Sequence, residues 1–450
     1  MKTQSQKEHH GRRTFLKMSS IGTAGAILGA ATLNAPRVHA AENNTINVAL
    51  VGCGGRGGGA IHQAMHTAGP TRVVALADAF APRVRLLANA LRETFPDGVD
   101  PNLQEIVGLD GYKHAIDAVG PGGAVILATA PAFRPLQVEY AAEKGVHVFM
   151  EKSMAVDAPG VRKLLRAGEV AKQKNLKFVG GLMSRHYVPL QQAVEQLHNG
   201  IIGERITCWA YRMHGGVHFG PRNPGESAIA HQIRNWHSFT WIGGSFILDW
   251  LIHQLDVCCW AKGALPVSAQ GMGARQNREA QDQMFNQFAV EYTFGDGTRL
   301  FAQARHQHGT WGSFQATIHG TTGCAVIGEM VTHPRIFRGH NPSAESMIWE
   351  YPGDVRTHDQ YQAGQNILFD AIRNDRPVNE TERCAYSTLV GILGRMAAET
   401  GQEITWNAAM NSTFEYVPNL ESLTMDSPAP VMPDENGNFP IPIPGVTTFS

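Results

Sequence analysis

The sequence predicts two folded parts: an α/β domain on a parallel sheet, then an α+β domain with an open, mostly antiparallel sheet. Three observations carry this. Apolar strand-like runs alternate with helical periodicity from Ile46 to Val179. A glycine-rich turn, residues 52–59, follows the first of those runs. After Gly180 the rhythm changes to successive strand patterns, with Gly295-Asp296-Gly297 as a hairpin signal between two of them.

Composition narrows the class. A chain of 450 residues holds two to three domains at roughly 150 residues each. Hydrophobic residues make up 43%, charged residues 17%, and 38 basic against 39 acidic side chains leave a net charge of −1. That balance carries no electrostatic footprint for nucleic acid or an anionic membrane. Six cysteines without a C-x-x-C spacing fit neither a disulfide scaffold nor a structural zinc site, and are read as small buried residues. His62 with His66, and His306 with His308, lack an obvious third ligand, so no metal is expected.

The elements follow in order. Residues 1–40 read as an export signal: Arg12-Arg13-Thr14-Phe15-Leu16-Lys17, a short apolar stretch from Ile21 to Leu33, then Val38-His39-Ala40. The paired arginines resemble a twin-arginine signal, which carries proteins already folded. The expected mature chain starts near Ala41, in the periplasm, with no membrane span. Strand Ile46–Val51 runs into Gly52-Cys53-Gly54-Gly55-Arg56-Gly57, a helix from Ala60 to Thr67, and strand Arg72–Ala77 ending in Asp78. Gly52 permits the tight turn, Gly54 lets backbone approach a pyrophosphate, and Gly57 lets helix and strand pack closely. The helix N-terminus, with Gly55 and Arg56, offers N–H groups to phosphates. Asp78 stands where an acid accepts ribose hydroxyls. This is a Rossmann dinucleotide fingerprint in its proper context, and the carboxylate favours NAD over NADP.

The alternation continues with helix Pro82–Thr94, a loop, strand Ala124–Ala128, helix Pro135–Lys144, strand Val146–Met150, helix Ala158–Lys174 and strand Lys177–Val179. Ligands bind at the carboxyl ends of such strands. Thr129 and Pro131 are therefore expected to border the nicotinamide, and Glu151-Lys152 to face the cofactor crevice. Predicted domains are 41–181 for nucleotide, 182–425 for substrate and oligomerisation, and a proline-rich arm over 426–450. The terminal helices, Gln360–Arg373 and Ala385–Glu399, are free to pack back on the Rossmann part.

The segment Phe246–Trp260 is apolar almost all round, with Ser245 as its N-cap and Gly263 as its stop. Asp249 and His253, four apart, share a face, and Asp256 continues it. Buried Asp and His need partners or a purpose. For Asp256 the reading is structural, holding His253 in place; for Asp249 and His253 it is chemical.

The glycine loop, Ala128-Thr129-Ala130-Pro131, Glu151-Lys152 and the Asp249/His253 helix together resemble the Gfo/Idh/MocA oxidoreductase family. That family carries Glu-Lys-Pro where this chain has Glu151-Lys152-Ser153. Its sugar dehydrogenases carry an Asp-x-x-x-His pair on this helix, so the resemblance implies a catalytic set of Lys152, Asp249 and His253. His253 would take a hydroxyl proton, Lys152 would steady charge on oxygen, and Asp249 would fix substrate and orient His253. The resemblance also implies a carbohydrate substrate, a tightly bound NAD and a homo-oligomer, dimer or tetramer. Arg234, Asn235 and Trp236, before the buried helix, and Arg185, His186 and Tyr187, after a strand, are candidate sugar contacts; loop packing is the competing reading. The alternative activity is a redox-neutral, NAD-dependent lyase or glycosidase working through a transient keto-sugar. Such enzymes typically carry a Tyr-Pro-x-His-like segment, which is absent here. A non-catalytic sugar-binding protein is the third class.

Overall fold

The computed structural model describes residues 44–217, 219–276, 282–328 and 333–449. The expected export signal, 1–40, lies outside the described residues. Residues 44–450 form one compact unit that holds two sheets.

The first sheet has six strands: β1 (Ile46–Val51), β2 (Thr71–Asp78), β3 (Val99–Val107), β4 (Ala124–Leu127), β5 (His147–Met150) and β6 (Phe178–Gly180). All neighbours are parallel, in the order β3-β2-β1-β4-β5-β6. This is the doubly wound order of dinucleotide-binding folds. Strands β1, β4 and β5 are buried along nearly their whole length, as a sheet covered on both faces requires. Strand β3 and the helix Gly111–Val119 replace the loop expected between Thr94 and Ala124. β3 escaped notice because it is a polar edge strand containing Pro101, with most of its side chains in solvent. The first helix spans Gly55–Met65 rather than starting at Ala60, so the glycine loop itself forms its first turn.

Register fixes where the site must lie. Val51 pairs with Ala77 and with Leu127, Leu127 with Met150, and Met150 with Gly180. The residues one step beyond that line are Gly52, Asp78, Ala128, Glu151 and Gly181. All of them border one cavity at the carboxyl edge of the sheet.

The second sheet runs β14-β13-β12-β11-β7-β10-β9-β8-β15. Its strands are β7 (Arg205–His214), β8 (Pro266–Ala274), β9 (Gln287–Phe294), β10 (Arg299–His306), β11 (Ser313–Gly320), β12 (Gly323–Ile327), β13 (Arg335–Arg338), β14 (Met347–Glu350) and β15 (Ile404–Thr405). Every neighbouring pair is antiparallel except β7 with β10. β9 and β10 alternate buried and half-buried side chains residue by residue. The buried face packs on the helices Ile252–Lys262 and Thr381–Thr400. Helix Gln360–Arg373 packs against the first helix, β5 and β6, back on the first sheet.

The final segment is an ordered arm on its own chain. Gln232 donates to the Val431 carbonyl, Gln283 to Pro440 (3.2 Å), and the Gly445 N–H to Thr400 (2.7 Å). All six cysteines are buried and unpaired. Among the described residues, no helix is long and apolar enough to cross a membrane.

Candidate active site

A cavity of about 480 Å³ runs from the glycine loop to the buried helix. That is the size range of small-molecule sites. Its nucleotide end carries Gly52, Gly54, Gly55, Arg56, Gly57 and Asp78; its far end carries Lys152, Trp236, His237, Asp249, Trp250 and His253.

The nucleotide end suits a dinucleotide on steric grounds. A Cβ at Gly52, where φ is +98°, would meet the backbone of Ala128 at 2.6 Å. One at Gly57 would stand 1.8 Å from the Gly52 carbonyl oxygen. Gly54 and Gly55 face open space instead, with nothing within 4 Å of a built Cβ. The helix that starts there has no side-chain cap and no acid in its first turn. Its free N–H groups and dipole therefore point at a place for an anion. Asp78 is buried and braced by the N–H groups of Cys53 (2.7 Å) and Phe80 (2.9 Å). Arg56 pairs with Glu151 (2.8 Å) and lies over the Tyr361 ring at 4.7 Å. Thr129 lines the cavity, but Pro131 does not: it starts a buried turn behind Ala130.

At the far end Lys152 extends from the tip of β5. Its ammonium donates to Oδ1 of Asp249 at 2.7 Å and to the Asp249 backbone carbonyl. The Lys152–Ser153 peptide is cis. The serine hydroxyl donates to the Leu248 carbonyl, a contact that proline lacks the donor to make. Those two carbonyls belong to a π turn, Ile247–Leu251, that precedes the helix Ile252–Lys262. The sequence suggested an unbroken helix capped by Ser245. Ser245 instead has φ 89° and its hydroxyl is buried without a partner, while Gly263 ends the helix in the left-handed region as expected.

Asp249 is 2% exposed, and its second oxygen accepts from Nδ1 of His237 at 2.6 Å. Burial alone would raise its carboxyl, but Lys152 and then His237 override that and hold it well below the usual range. This corrects one expected role, because neither oxygen of Asp249 reaches His253. His253 is 7% exposed and its Nδ1 is buried with no hydrogen-bond partner. Burial, with Lys152 adding, pushes it down to about 3. Both causes favour its neutral form, the form that can accept a proton. Asp256 does not hold His253 either. Arg185 and Ser387 occupy its oxygens.

The other substrate candidates separate cleanly. Trp236 lines the cavity. Arg185 is consumed by Asp256, and His186 pairs with Glu380 at 3.2 Å. Tyr187 is buried, 6.5 Å from the ring of His358. Arg234 pairs with Glu226 (2.7 Å), and Asn235 hydrogen-bonds Gly220 (2.8 Å). None of these five borders the cavity. Sequence reasoning overlooked His237, Trp250, Tyr361 and Arg134, which do. Arg134 is fully buried and donates to the carbonyls of Thr129 and Ser153. Burial pushes its guanidinium down to about 10 against the pull of Glu151 and Asp249. Among the described residues, no group of three or more His, Cys, Asp or Glu is placed to hold a metal ion.

A parallel six-stranded sheet with a glycine cradle, an open second sheet, and a π turn that sets a buried acid against Lys152 define the site's frame. Residues 190–326 match the GFO/IDH/MocA C-terminal domain. It is 28% identical over 257 residues to the inositol 2-dehydrogenase of Burkholderia lata, a match covering 57% of this chain and 66% of that one. It is 26% identical over 291 residues to the inositol 2-dehydrogenase of Ralstonia nicotianae, covering 63% and 74%. The match to the first of these thus spans just under two thirds of that relative's length. Among solved structures, the scyllo-inositol dehydrogenase of Lactobacillus casei with bound NAD(H) and scyllo-inositol superposes with a TM-score of 0.60. Identity there is 18%, with 81% of this chain and 99% of that chain covered. The aldose-aldose oxidoreductase of Caulobacter crescentus, complexed with glycerol, gives a TM-score of 0.61 at 17% identity, covering 80% and 99%. These two likenesses establish the shared fold. The lyase alternative gains nothing from any of these relatives.

Proposed function

We propose that the chain is an NAD-dependent oxidoreductase acting on a hydroxyl of a sugar, polyol or sugar derivative. The observation that carries this reading is a single cavity joining the glycine cradle to the Lys152–Asp249 pair. The names of the inositol dehydrogenase relatives support the substrate class. When bound, the nicotinamide would supply the hydride acceptor. The chain's own groups supply the rest. Gly54, Gly55 and the first helix N-terminus would hold the pyrophosphate, and Asp78 the adenosine ribose, where its charge disfavours a 2′-phosphate. Trp236 and Trp250 offer apolar faces for a sugar ring. Lys152 donates to the reacting hydroxyl and steadies negative charge growing on its oxygen. Asp249 keeps that ammonium in place. His253, which lines the same cavity, would take the hydroxyl proton.

The twin-arginine motif at Arg12-Arg13 supports a periplasmic location, and with it tight retention of the dinucleotide through the reaction cycle. An oligomer of identical chains belongs to the same reading. The deciding experiment denatures the purified chain and identifies any released nucleotide by mass. It then follows nicotinamide absorbance with inositols and aldoses. Bound or strongly binding NAD with polyol-dependent reduction is expected. A chain that neither binds a nicotinamide dinucleotide nor reduces it with any polyol overturns the reading.

A further inference from the structure

The far end of the cavity offers four polar side chains, Lys152, His237, Asp249 and His253, together with the indoles of Trp236 and Trp250. Both carboxylate oxygens of Asp249 are spent inside the chain. Oδ1 takes the Lys152 ammonium at 2.7 Å, and Oδ2 takes Nδ1 of His237 at 2.6 Å. Under the reading above, Lys152 and His253 meet the hydroxyl that reacts. His237 is left over. Its side chain borders the cavity and is 35% exposed.

The sense of its hydrogen bond follows from the partner. A carboxylate held against an ammonium is ionised and can only accept, so Nδ1 of His237 is the donor. An imidazole that donates at Nδ1 presents its lone pair at Nε2. Among the described residues, no group bonds that Nε2. The ring is also fixed before any ligand arrives. It stacks on Trp236 with centroids 3.6 Å apart. The short turn that bears both, Trp236–Ser238, follows the helix Ala228–Arg234. Gln232 of that helix accepts from Nε1 of Trp241 at 2.7 Å and donates to the Val431 carbonyl of the terminal arm. Phe439 of the same arm meets Phe239 edge-on at 5.0 Å. A preorganised acceptor of this kind costs a ligand little ordering entropy.

We infer that His237 is a specificity-determining residue, whose Nε2 accepts from a second hydroxyl of the substrate, one that the hydride transfer leaves intact. The inference rests on the oxidoreductase reading above and gives the substrate a second point of attachment. One hydroxyl lies at Lys152 and His253, another at His237, and the two are tied through one carboxylate. The site therefore reads a pair of hydroxyls on one ring rather than a simple alcohol. No bond is made or broken at His237.

The test measures binding rather than turnover. Dissociation constants of myo-inositol and its monodeoxy analogues are read by tryptophan fluorescence on the full chain with NADH, for wild type and His237→Asn. Asparagine puts an amide N–H where Nδ1 stood, so the bond to Asp249 survives while Nε2 is lost. In wild type two hydroxyls should matter, each weakening binding about tenfold when removed. His237→Asn should bind myo-inositol about tenfold more weakly. One of the two sensitive positions should then become indifferent, within about twofold, while the other keeps its full effect. Equal weakening of every analogue in His237→Asn would make the residue a support for Asp249 alone and overturn the inference. Unchanged binding, or a wild type that binds none of these ring polyols, overturns it too. A wild type with the expected pattern that reduces no dinucleotide defeats the oxidoreductase reading and leaves His237 as a sugar contact. A wild type that reduces dinucleotide with a polyol, but shows no selective change in His237→Asn, defeats the inference alone.

Discussion

Arg185 grips Asp256 with two hydrogen bonds, Nε to Oδ2 at 2.7 Å and a terminal nitrogen to Oδ1 at 2.8 Å, while its guanidinium lies 4.5 Å over Trp260. Asp256 is fully buried and also accepts from Ser387 at 2.5 Å. A forked pair in this setting is structural, tying the turn after β6 to the buried helix. Removing one partner of a buried ion pair strands the other charge, at a cost of about 3–5 kcal/mol. Arg185→Ala should therefore unfold at markedly lower urea with no selective loss of sugar affinity. A variant of unchanged stability with a raised KM would return Arg185 to the substrate site.

The two inner glycines make opposite demands. A methyl at Gly57 would overlap the Gly52 carbonyl, with 1.8 Å between them. Gly57→Ala should lower stability by at least about 2 kcal/mol through forced separation of helix and strand. Gly54 has φ −76°, which alanine adopts freely, and a methyl there meets nothing in the chain. Gly54→Ala should fold like wild type and lose dinucleotide affinity by roughly tenfold or more, because its methyl occupies the pyrophosphate's approach. Thermal unfolding with and without NAD separates the two effects.

Lys152→Met removes the donor to the substrate oxygen and the nearest cation of a buried carboxylate. The expected loss in kcat is about 10²–10³-fold, with NAD affinity kept. Asp249 should then take up a proton at higher pH than in wild type, since the attraction that held its carboxyl down is gone. Steady-state rates and a carboxyl-region infrared titration check both parts. A variant that turns over at the wild-type rate would remove Lys152 from the chemistry.

Glu399 sets a pH dependence of stability. Burial pushes its carboxyl from 4.5 up to about 7, with Arg395 at 3.7 Å only partly opposing. Between those values the folded chain holds a proton that the unfolded chain has released, so stability falls as pH rises through that window. His147 acts on the acid side. Burial, with Lys177 adding, lowers it from 6.5 to about 4, so stability also falls as pH drops through that range. Glu399→Gln should leave stability unchanged near about pH 4 and raise it by on the order of 3 kcal/mol near about pH 8. Equal gains at both pH values would mean that Glu399 does not titrate there. Denaturant midpoints measure this directly.

Local pattern accounts for what the sequence disclosed. The glycine turn, Asp78 and Lys152 each follow an apolar strand, and their positions past the strand ends predicted a shared edge. Asp249 and His253 stood out because polar side chains on an apolar helix need a reason. The relation of His237 to Asp249 had no such signal. No periodicity links His237 to an acid 12 positions later. Arg185, His186 and Tyr187 follow β6 in the chain, but position along a chain does not give side-chain direction, and none of the three borders the cavity. The π turn was equally hidden. Its extra residue answers to contacts with Lys152 and Ser153 from another sheet rather than to propensity within Ile247–Leu251.

That turn has a mechanical consequence. A regular α-helix spends its carbonyls on its own ladder, whereas here the oxygens of Leu248 and Asp249 accept from Ser153 and Lys152. The tip of β5 is thus riveted to the start of the buried helix at two adjacent points, one neutral and one charged. Any motion that parted β5 from this helix would have to break both contacts at once. The ammonium and the carboxylate then travel together, so their spacing is already set when a substrate arrives.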